Sequence, residues 1–415
     1  MTNHEDITVG AVYDRAVTDR AYNEWHIITC EYPPQKGGVS DYTRLVAEGL
    51  AAEGDRVHVW CPAGPEPVES GSGITVHREL GQITSRELHR VGKYLDQMPA
   101  PRRLLVQWVP HGYGYRSMNL PFCLWLWNRA RVAKDDVQIM VHEPFLAFGE
   151  GSWKQDAAAA VHRIMAAIIL NAASRVWISI PAWRNRLRPY LLGRRMPMEW
   201  LPVPSNVETA ADPEAHVAES HFDRVTLGHF GTFGSPISTM LEPLVSPLLN
   251  GYSNRVLLLM GRGSTEFREK ILGRNRSLNE QIYATGELTA LDLSRWLRRC
   301  DLMIQPYPDG VSSRRGTAMA AISHGLPMVT TTGPLTETVW SQSGAVHLVR
   351  SGVPAEFLAA VEGLLAGCEK RIQMGVRARR LYMDCFDLRH TIRALRSTVG
   401  APKSGHFGEV AAERR

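Results

Sequence analysis

The segment at residues 309–317, DGVSSRRGT, contains the residue types that bind phosphate. Its hydroxyl-bearing, guanidinium and glycine residues are Ser312, Ser313, Arg314, Arg315, Gly316 and Thr317. A helix predicted at 317–324 begins here, and the free N–H groups and dipole of a helix N-terminus favour an anion. Arginine adds paired hydrogen bonds to phosphate oxygens. The sequence therefore indicates a phosphate site. The alternative is a surface loop with two solvated arginines.

Two apolar strands flank this segment. The first is predicted at 302–305 and ends at Pro306. The second, at 328–332, follows the helix after Gly325 and Pro327 stop it. Strand, loop, helix and strand in this order form the crossover unit of a parallel sheet.

The first half of the chain has a comparable unit. A strand predicted at 25–30 leads into a loop with two adjacent glycines, Gly37 and Gly38. A helix at about 41–53 and a strand at 56–60 follow. Paired glycines let the backbone approach a ligand, although turn formation alone also explains them.

Two further predicted strands, at 103–108 and 136–141, deliver polar and aromatic residues to one sheet edge. The loop 111–115 follows the first strand, and His142 follows the second. Doubly wound folds bind ligands at the carboxyl ends of their strands, so His142 is placed to contact a substrate. A purely structural histidine is the alternative.

The order of elements predicts two α/β domains. Seven strands are expected in the first half and six in the second, with glycine-containing turns and helices between them. We divide the chain into a polar leader (1–22), a first domain (23–204), a linker (205–222) and a second domain (223–387). A C-terminal helix (388–399), which could cross back to the first domain, and a flexible tail (400–415) follow.

Composition excludes several classes of protein. The 415 residues are 44% hydrophobic and 21% charged, as in globular proteins. A net charge of +5 suits an anionic ligand but is too dispersed to argue for nucleic acid. The six cysteines form no CxxC pair or metal-ligand spacing, which favours reduced thiols in the cytoplasm. The apolar stretch 157–180 contains charged residues, so we predict a buried helix and a strand rather than a membrane span.

Six sequence segments resemble, in this order, motifs of the GT-B glycosyltransferases. They are GGVSDYTRLVAEGLAAEGDRVHVW, VHEPF, LPVPSNVE, LLLMGRGS, ATGELTALDLSRWLRRCDLMIQPY and MAAISHGLPMVTT. The resemblance covers roughly residues 24–390 and is strongest to the retaining glycosyltransferase family four. It implies two Rossmann-like domains facing a cleft that binds a nucleotide sugar.

The resemblance also implies roles for individual residues. His142 and Asp309 would contact the transferred sugar during catalysis. The donor would be bound by Gly37, Gly38, Gly231, Arg262, Gly286, Glu287, Leu288, Ser312, Ser313, Arg314, Arg315, Gly316 and Thr317. No metal or obligatory cofactor is implied.

Three features depart from the family pattern. The family has glutamates where this chain has Asp309 and Thr317, of which the first contacts the donor sugar and the second the ribose hydroxyls. The family's basic pair after the first strand of the second domain is missing from the loop 231–236. We hypothesise that Arg314 and Arg315 supply this charge instead, with Arg262 as a second candidate.

Three functions remain open from sequence. The first is a retaining, metal-independent transferase with a sugar, lipid-linked or small-molecule acceptor. The second is a nucleotide-sugar epimerase, which would need acid/base carboxylates such as Glu31, Glu143 and Glu150. The third is an inactive scaffold or partner subunit.

The run FCLWLW at 122–127 could line an acceptor site or be a buried helix. Association of the first domain with a membrane surface also stays open.

Overall fold

A computed structural model describes residues 23–64, 71–149, 151–209 and 224–397. The predicted leader, the tail from residue 400, most of the predicted linker and Glu150 lie outside these residues.

The first sheet has seven parallel strands in the order β3-β2-β1-β4-β5-β6-β7. They are β1 (Glu24–Ile28), β2 (Arg56–Pro62), β3 (Ile74–Gly81), β4 (Arg103–Trp108), β5 (Asp136–Val141), β6 (Arg175–Ile178) and β7 (Met198–Trp200). The helices are α1 (Gly38–Ala52), α2 (Ser85–Asp96), α3 (Leu120–Arg131), α4 (Trp153–Ala172) and α5 (Ala182–Leu187), with 3-10 turns at Pro110–Gly112, Tyr115–Ser117 and Arg188–Leu191.

The second sheet has six parallel strands in the order β10-β9-β8-β11-β12-β13. They are β8 (Val225–Phe230), β9 (Arg255–Met260), β10 (Ile282–Ala284), β11 (Leu302–Gln305), β12 (Met328–Thr332) and β13 (His347–Arg350). The helices are α6 (Ser235–Leu249), α7 (Ser264–Arg274), α8 (Ala290–Leu297), α9 (Gly316–Ser323), α10 (Thr338–Ser343), α11 (Pro354–Ala366), α12 (Cys368–Leu381) and α13 (Leu388–Arg396), with a 3-10 turn at Arg276–Leu278 and a π-helical turn at Tyr382–Phe386.

Both faces of each sheet are covered. Successive residues of a strand point to opposite faces, and Ile27 and Ile28 of β1 belong to different hydrophobic clusters. Leu258 and Leu259 of β9 are divided in the same way. Strands buried on both faces are continuous apolar runs, which is why their positions were visible in the sequence. The predicted α/β class with two doubly wound domains is confirmed.

Each sheet has one point where the chain reverses its winding direction. In the first sheet this point lies between β1 and β4, and in the second between β8 and β11. Loops at such a switch point diverge to opposite faces and leave a crevice for ligands. The glycine loop after β1 and the segments after β8 and β11 all begin at these points.

The C-terminal helix α13 packs on α1 of the first domain. A Cβ atom built on Gly49 would lie 2.7 Å from Cδ1 of Ile392, so the two helices approach closely only because position 49 has no side chain. At the end of α13, Arg396 pairs with Glu53 at 2.8 Å and with Asp55 at 3.1 Å. The helix therefore connects the end of the second domain to the first.

The structure describes both apolar segments for which the sequence made a local prediction. The run FCLWLW lies on α3, where Phe122 and Cys123 are buried but Trp127 is 40% exposed, so the helix is only partly a core element. The stretch 157–180 is a helix and a strand, as predicted, and none of the helices in the described ranges is long and apolar enough to span a bilayer.

Candidate active site

A cleft of about 750 Å³ lies between the two sheets, at the carboxyl ends of the strands beside both switch points. It is lined by ten of the residues predicted from sequence: Gly37, Gly38, Gly231, Arg262, Glu287, Leu288, Arg314, Arg315, Gly316 and Thr317. A second cavity of about 380 Å³ adjoins it and contains His142. Four predicted residues line neither space: Gly286, Asp309, Ser312 and Ser313.

Asp309 holds the two arginines of the loop before α9. One oxygen of its carboxylate accepts a hydrogen bond from Arg314 at 2.7 Å, and the other accepts one from Arg315. These guanidinium groups, acting against the effect of burial, lower the pKa of Asp309. Both of its oxygens are therefore engaged by cations in this structure, rather than directed at a sugar.

Arg314 also reaches the first domain. Its Nη1 atom donates to Glu143 at 3.2 Å, and its guanidinium lies 5.6 Å from the ring centre of Trp183. The Nε groups of Arg314 and Arg315 are buried and have no hydrogen-bond partner in the described part of the chain. The loop thus presents two oriented arginines, each with an Nε–H donor that no described residue accepts.

Ser313 connects the loop to both domains instead of facing the cleft. Its hydroxyl donates to the carbonyl of Ser179 in the first domain, at 2.8 Å, and contacts Glu337. Its backbone carbonyl accepts from the N–H of Val203 at 3.0 Å. Ser312 is fully buried beside it. Ser313 therefore positions the loop and is not available to a phosphate in this arrangement, whereas the Ser312 hydroxyl is buried without a hydrogen-bond partner among the described residues.

Glu337 anchors the same loop from within the second domain. It accepts hydrogen bonds from the backbone N–H of Ser313 at 2.9 Å and from the indole N–H of Trp340 at 2.8 Å. Burial raises the pKa of Glu337, and these donors oppose that rise. Glu337 is not among the residues predicted from sequence, because a single glutamate in a loop carries no motif by which it could be found.

The N-terminus of α9 opens into the cleft. Gly316 has open space around the position where a Cβ atom would be, so an approaching group meets the backbone directly. The first-turn N–H groups of a helix have no intrahelical acceptors. The Thr317 hydroxyl lies 2.7 Å from the hydroxyl of Tyr307. Backbone donors and the two arginines therefore converge on one end of the cleft.

The glycine loop of the first domain already holds an anion of its own. The Glu31 carboxylate accepts the backbone N–H groups of Val39 and Ser40, at 3.0 and 2.9 Å. A Cβ atom on Gly37 would lie 2.2 Å from this carboxylate. Gly37 is therefore required for Glu31 to cap α1, whereas Gly38 has open space on the cleft side.

His142 lies in the second cavity as a buried, neutral imidazole. Its Nε2–H group donates to Oε1 of Gln107 at 2.8 Å, which leaves Nδ1 as an acceptor. Tyr42 packs against its ring, with centres 4.8 Å apart. Burial lowers the pKa of His142 to about 3. At neutral pH this side chain can exchange hydrogen bonds with a substrate but carries no charge.

The opposite end of the cleft contains exposed charges. Lys36 of the first domain donates to Glu287 of the second at 2.7 Å, and this pairing lowers the pKa of Glu287. Arg262 and Leu288 line the same region. Gly286 lies just behind it, where its N–H group donates to Ser264 at 3.0 Å.

Two polar residues on the floor of the cleft are not among those predicted from sequence. His229 and Gln305 lie within predicted apolar strands, where a single polar residue is easily taken for core. Both line the cleft and are at most 1% exposed. Among the described residues, no cluster of three or more histidine, cysteine, aspartate or glutamate side chains is arranged to hold a metal ion.

The second domain matches a known family. Residues 226–367 match the family model described as "Glycosyl transferases group 1". No curated protein is significantly similar to the chain in sequence. The resemblance to GT-B glycosyltransferases predicted from sequence is thereby confirmed for this part of the chain.

Solved structures share the fold over almost the whole chain. A sucrose-phosphate synthase from Thermosynechococcus elongatus superposes with a TM-score of 0.69 at 16% identity, covering 90% of this chain and 97% of that one. HepE from Anabaena, solved with UDP and glucose, gives 0.62 at 13% identity, with 90% and 98% covered. A trehalose-6-phosphate protein from E. coli, bound with UDP-2-fluoro glucose, gives 0.61 at 12% identity, with 91% and 99% covered. At these identities the similarity establishes the GT-B fold.

Proposed function

We propose that this GT-B protein is a glycosyltransferase that moves a sugar from a nucleotide-sugar donor to an acceptor. We further propose that the transfer retains the anomeric configuration and needs no metal ion. The group 1 family match of the second domain and the UDP complexes of two structural neighbours support a nucleotide-sugar donor.

The observation that carries the proposal is the arrangement at the N-terminus of α9. Arg314, Arg315 and the open backbone at Gly316 face the cleft between two doubly wound domains. Helix N-termini bind phosphate through backbone N–H groups, and arginine binds it through paired hydrogen bonds. A diphosphate fits this combination of donors and charge.

The chemistry requires stabilisation of the leaving group. Transfer breaks the bond between the sugar and the diphosphate, so negative charge develops on the phosphate oxygen as the sugar becomes cationic. Arg314 and Arg315 would stabilise that charge, assisted by the first-turn N–H groups of α9. Asp309 and Glu143 hold these donors at the cleft, and a bound diphosphate would share them with Asp309 or displace it before the charge appears.

The sugar would occupy the junction between the cleft and the second cavity. Gly38, Arg314 and Gly316 line both spaces, so a group attached to the diphosphate at α9 reaches the second cavity directly. His142 would then contact the sugar as a neutral acceptor through Nδ1. Asp309 would act on the sugar only if a bound diphosphate draws the arginines away from it. In attack from the leaving-group face, the acceptor hydroxyl bonds to the sugar as the bond to the diphosphate breaks, and its proton passes to the departing phosphate oxygen. This step requires no protein nucleophile.

The acceptor would enter through the second cavity, which is lined mainly by first-domain residues. His111 and Glu143 lie at that cavity and pair at 3.7 Å, which gives it polar as well as apolar walls. A sugar hydroxyl is the acceptor group that we propose. We also propose a cytoplasmic location, since four of the six free cysteines are buried as thiols.

A thermal-shift screen tests the donor class. The purified protein is heated with UDP, GDP, ADP, dTDP or CDP, in the presence of a chelator. A ligand at about a hundred times its dissociation constant stabilises by about 2.7 kcal/mol, which corresponds to a shift of several degrees. One nucleotide that raises the midpoint identifies the donor class. If none shifts it, with or without added Mg²⁺, the proposed function is wrong.

An inactive GT-B protein is the second candidate. The observation that favours it is that both loop arginines already pair with carboxylates, so a diphosphate must displace Asp309 or share the arginines with it. Transfer of radiolabelled sugar, or slow hydrolysis of the matching nucleotide sugar, separates the two candidates once a nucleotide is known to bind.

The epimerase alternative is less well supported, because Glu31 caps α1 and Glu143 is held by His111 and Arg314.

A further inference from the structure

Two buried hydrogen-bond acceptors lie at the switch point of the second sheet without partners. His229 is on β8 and Gln305 ends β11, and these neighbouring strands are the ones from which the chain winds in opposite directions. Neither Nε2 of His229 nor Oε1 of Gln305 has a hydrogen-bond partner in the residues that the structure covers. Buried polar atoms are almost always paired, so this pair requires an explanation.

The chemical character of both atoms follows from their other hydrogen bonds. Nδ1 of His229 lies 2.8 Å from the carbonyl oxygen of Ile304, so Nδ1 carries the proton and Nε2 has a free lone pair. The amide nitrogen of Gln305 donates to the carbonyl of Phe230 at 2.9 Å, which leaves Oε1 as the free acceptor. Each side chain is thus anchored to the opposite strand, and its unpaired atom, Nε2 of His229 or Oε1 of Gln305, can only accept a hydrogen bond.

The surroundings keep this pair rigid and neutral. Phe233 packs edge-on against the His229 ring, with centres 5.0 Å apart. Burial lowers the pKa of His229 to about 4, so the ring carries no proton on Nε2 at neutral pH. A ligand that satisfies both atoms must therefore supply two hydrogen-bond donors at the centre of the cleft.

The position along the sheet indicates which part of a nucleotide would supply them. The cationic end of the cleft at α9 follows β11, whereas Arg262 and Leu288 follow β9 and β10 on the other side. Adjacent strands lie about 4.8 Å apart, so the two ends are separated by roughly 10–15 Å. His229 lies between them on β8, and Gln305 is beside it at the end of β11. In a nucleoside diphosphate, the ribose lies between the base and the phosphates and carries two adjacent hydroxyls.

We propose that His229 and Gln305 form the ribose subsite, in which Nε2 and Oε1 accept hydrogen bonds from the ribose hydroxyls of the donor nucleotide. This inference rests on the proposed function. The two neutral acceptors would replace the glutamate that contacts the ribose hydroxyls in the family pattern, where this chain has Thr317. This subsite also means that the chain selects ribonucleotides over deoxyribonucleotides.

The test compares nucleotides that differ only in their hydroxyls. Calorimetric titration measures the affinity of the protein for the nucleoside diphosphate selected by the thermal screen, for its 2′-deoxy and 3′-deoxy forms, and for inorganic pyrophosphate. We expect each missing hydroxyl to weaken binding about tenfold, because it leaves a buried acceptor unpaired. Equal affinity for all three nucleotides would overturn the ribose subsite while leaving the proposed function intact.

Substitutions assign the effect to the two side chains. His229→Phe and Gln305→Leu remove one acceptor each with little change in volume. Each should lower the ratio of ribonucleotide to deoxyribonucleotide affinity while pyrophosphate still binds. His324→Phe, outside the cleft in the same domain, is the matched control and should keep the wild-type ratio. Unchanged ratios in both cleft variants would contradict the assignment.

The same experiment separates failure of the inference from failure of the function. Loss of pyrophosphate binding in one variant would indicate a folding defect in that variant. The other variant and the comparison of nucleotides on the wild-type protein then decide whether the ribose subsite exists. Pyrophosphate binding without binding of any nucleoside diphosphate would contradict both the nucleotide donor and the ribose subsite.

Discussion

Arg314 and Arg315 are the residues on which the proposed phosphate site depends. They lie on consecutive positions, yet Asp309 directs both toward the cleft. The family pattern places its cations after the first strand of the second domain, where this chain has Gly231 and Thr232 at the cleft wall. We therefore propose that the phosphate-binding charge lies on the loop before α9 in this chain, across the same space.

Replacement of either arginine tests this relocation. Arg314→Ala and Arg315→Ala should each weaken nucleoside diphosphate binding about ten- to a hundred-fold, since a hydrogen bond to a charged group contributes about 1.5–3 kcal/mol. Calorimetric titration measures the affinity. Arg380→Ala, which removes an exposed arginine outside the cleft, is the control. Wild-type affinity in both cleft variants would assign these arginines to a structural role.

The loop before α9 is the element that joins the site to the fold. Glu337 holds it to the second domain through the N–H group of Ser313, and the Ser313 hydroxyl and Arg314 hold it to the first. A movement of one domain relative to the other must therefore displace the arginines or break these bonds. We therefore propose that this loop couples domain closure to phosphate binding.

Substitution of Glu337 tests the role of that element. Glu337→Ala leaves the N–H of Ser313 and the indole of Trp340 without acceptors, each at a loss of about 1–3 kcal/mol. We expect a lower unfolding free energy in urea and weaker pyrophosphate binding. Glu369→Ala, on the exposed start of α12, is the control. Lower stability with unchanged pyrophosphate affinity would show that Glu337 supports the core and does not position the loop.

The helix α13 is a second element with an effect beyond its own domain. Ile392 is 5% exposed and packs into the space left by Gly49 on α1. Ile392→Ala should lower the unfolding free energy by about 2–4 kcal/mol, as for other buried truncations. Urea denaturation measures this, with Val376→Ala at a 64% exposed site as control. Equal effects of the two substitutions would mean that α13 contributes little to the stability of the first domain.

At the scale of the whole molecule, buried neutral histidines make stability depend on pH. Burial lowers the pKa of His26 and His142 to about 3 and that of His229 to about 4. The unfolded chain binds protons at these side chains below about pH 6.5, whereas the folded chain does not. The unfolding free energy therefore rises with pH between about 4 and 6.5, and this stability is lost as the pH falls through that window.

Urea denaturation across that window measures the slope. Each such histidine contributes about 1.4 kcal/mol per pH unit while it is protonated only in the unfolded chain. We expect His26→Phe and His229→Phe to show a shallower slope than the wild type. His347→Asn, at an exposed position on β13, should keep the wild-type slope. Parallel curves for all four proteins would contradict this account of the buried histidines.

The sequence by itself determined the order of strands and helices and the resemblance of the second domain to a glycosyltransferase family. Strands buried on both faces appear as short apolar runs, and glycine or proline marks their ends, so these features depend on local chemistry. The same local signals identified the glycine loop, the arginine loop and His142. They did not identify His229, Gln305 or Glu337, since an isolated polar residue in an apolar or loop segment has no periodic signature.

Only the tertiary structure decided which of these residues meet and what each one contacts. Glu31 fills the N-terminus of α1, and Asp309 engages both arginines, because carboxylates and cations distant in sequence become neighbours when the strands align. The free lone pairs of His229 and Gln305 follow from hydrogen bonds between β8 and β11, which are about 75 residues apart in the chain. Hydrogen-bond partners depend on distances in the folded protein, which the spacing of residues along the chain does not specify.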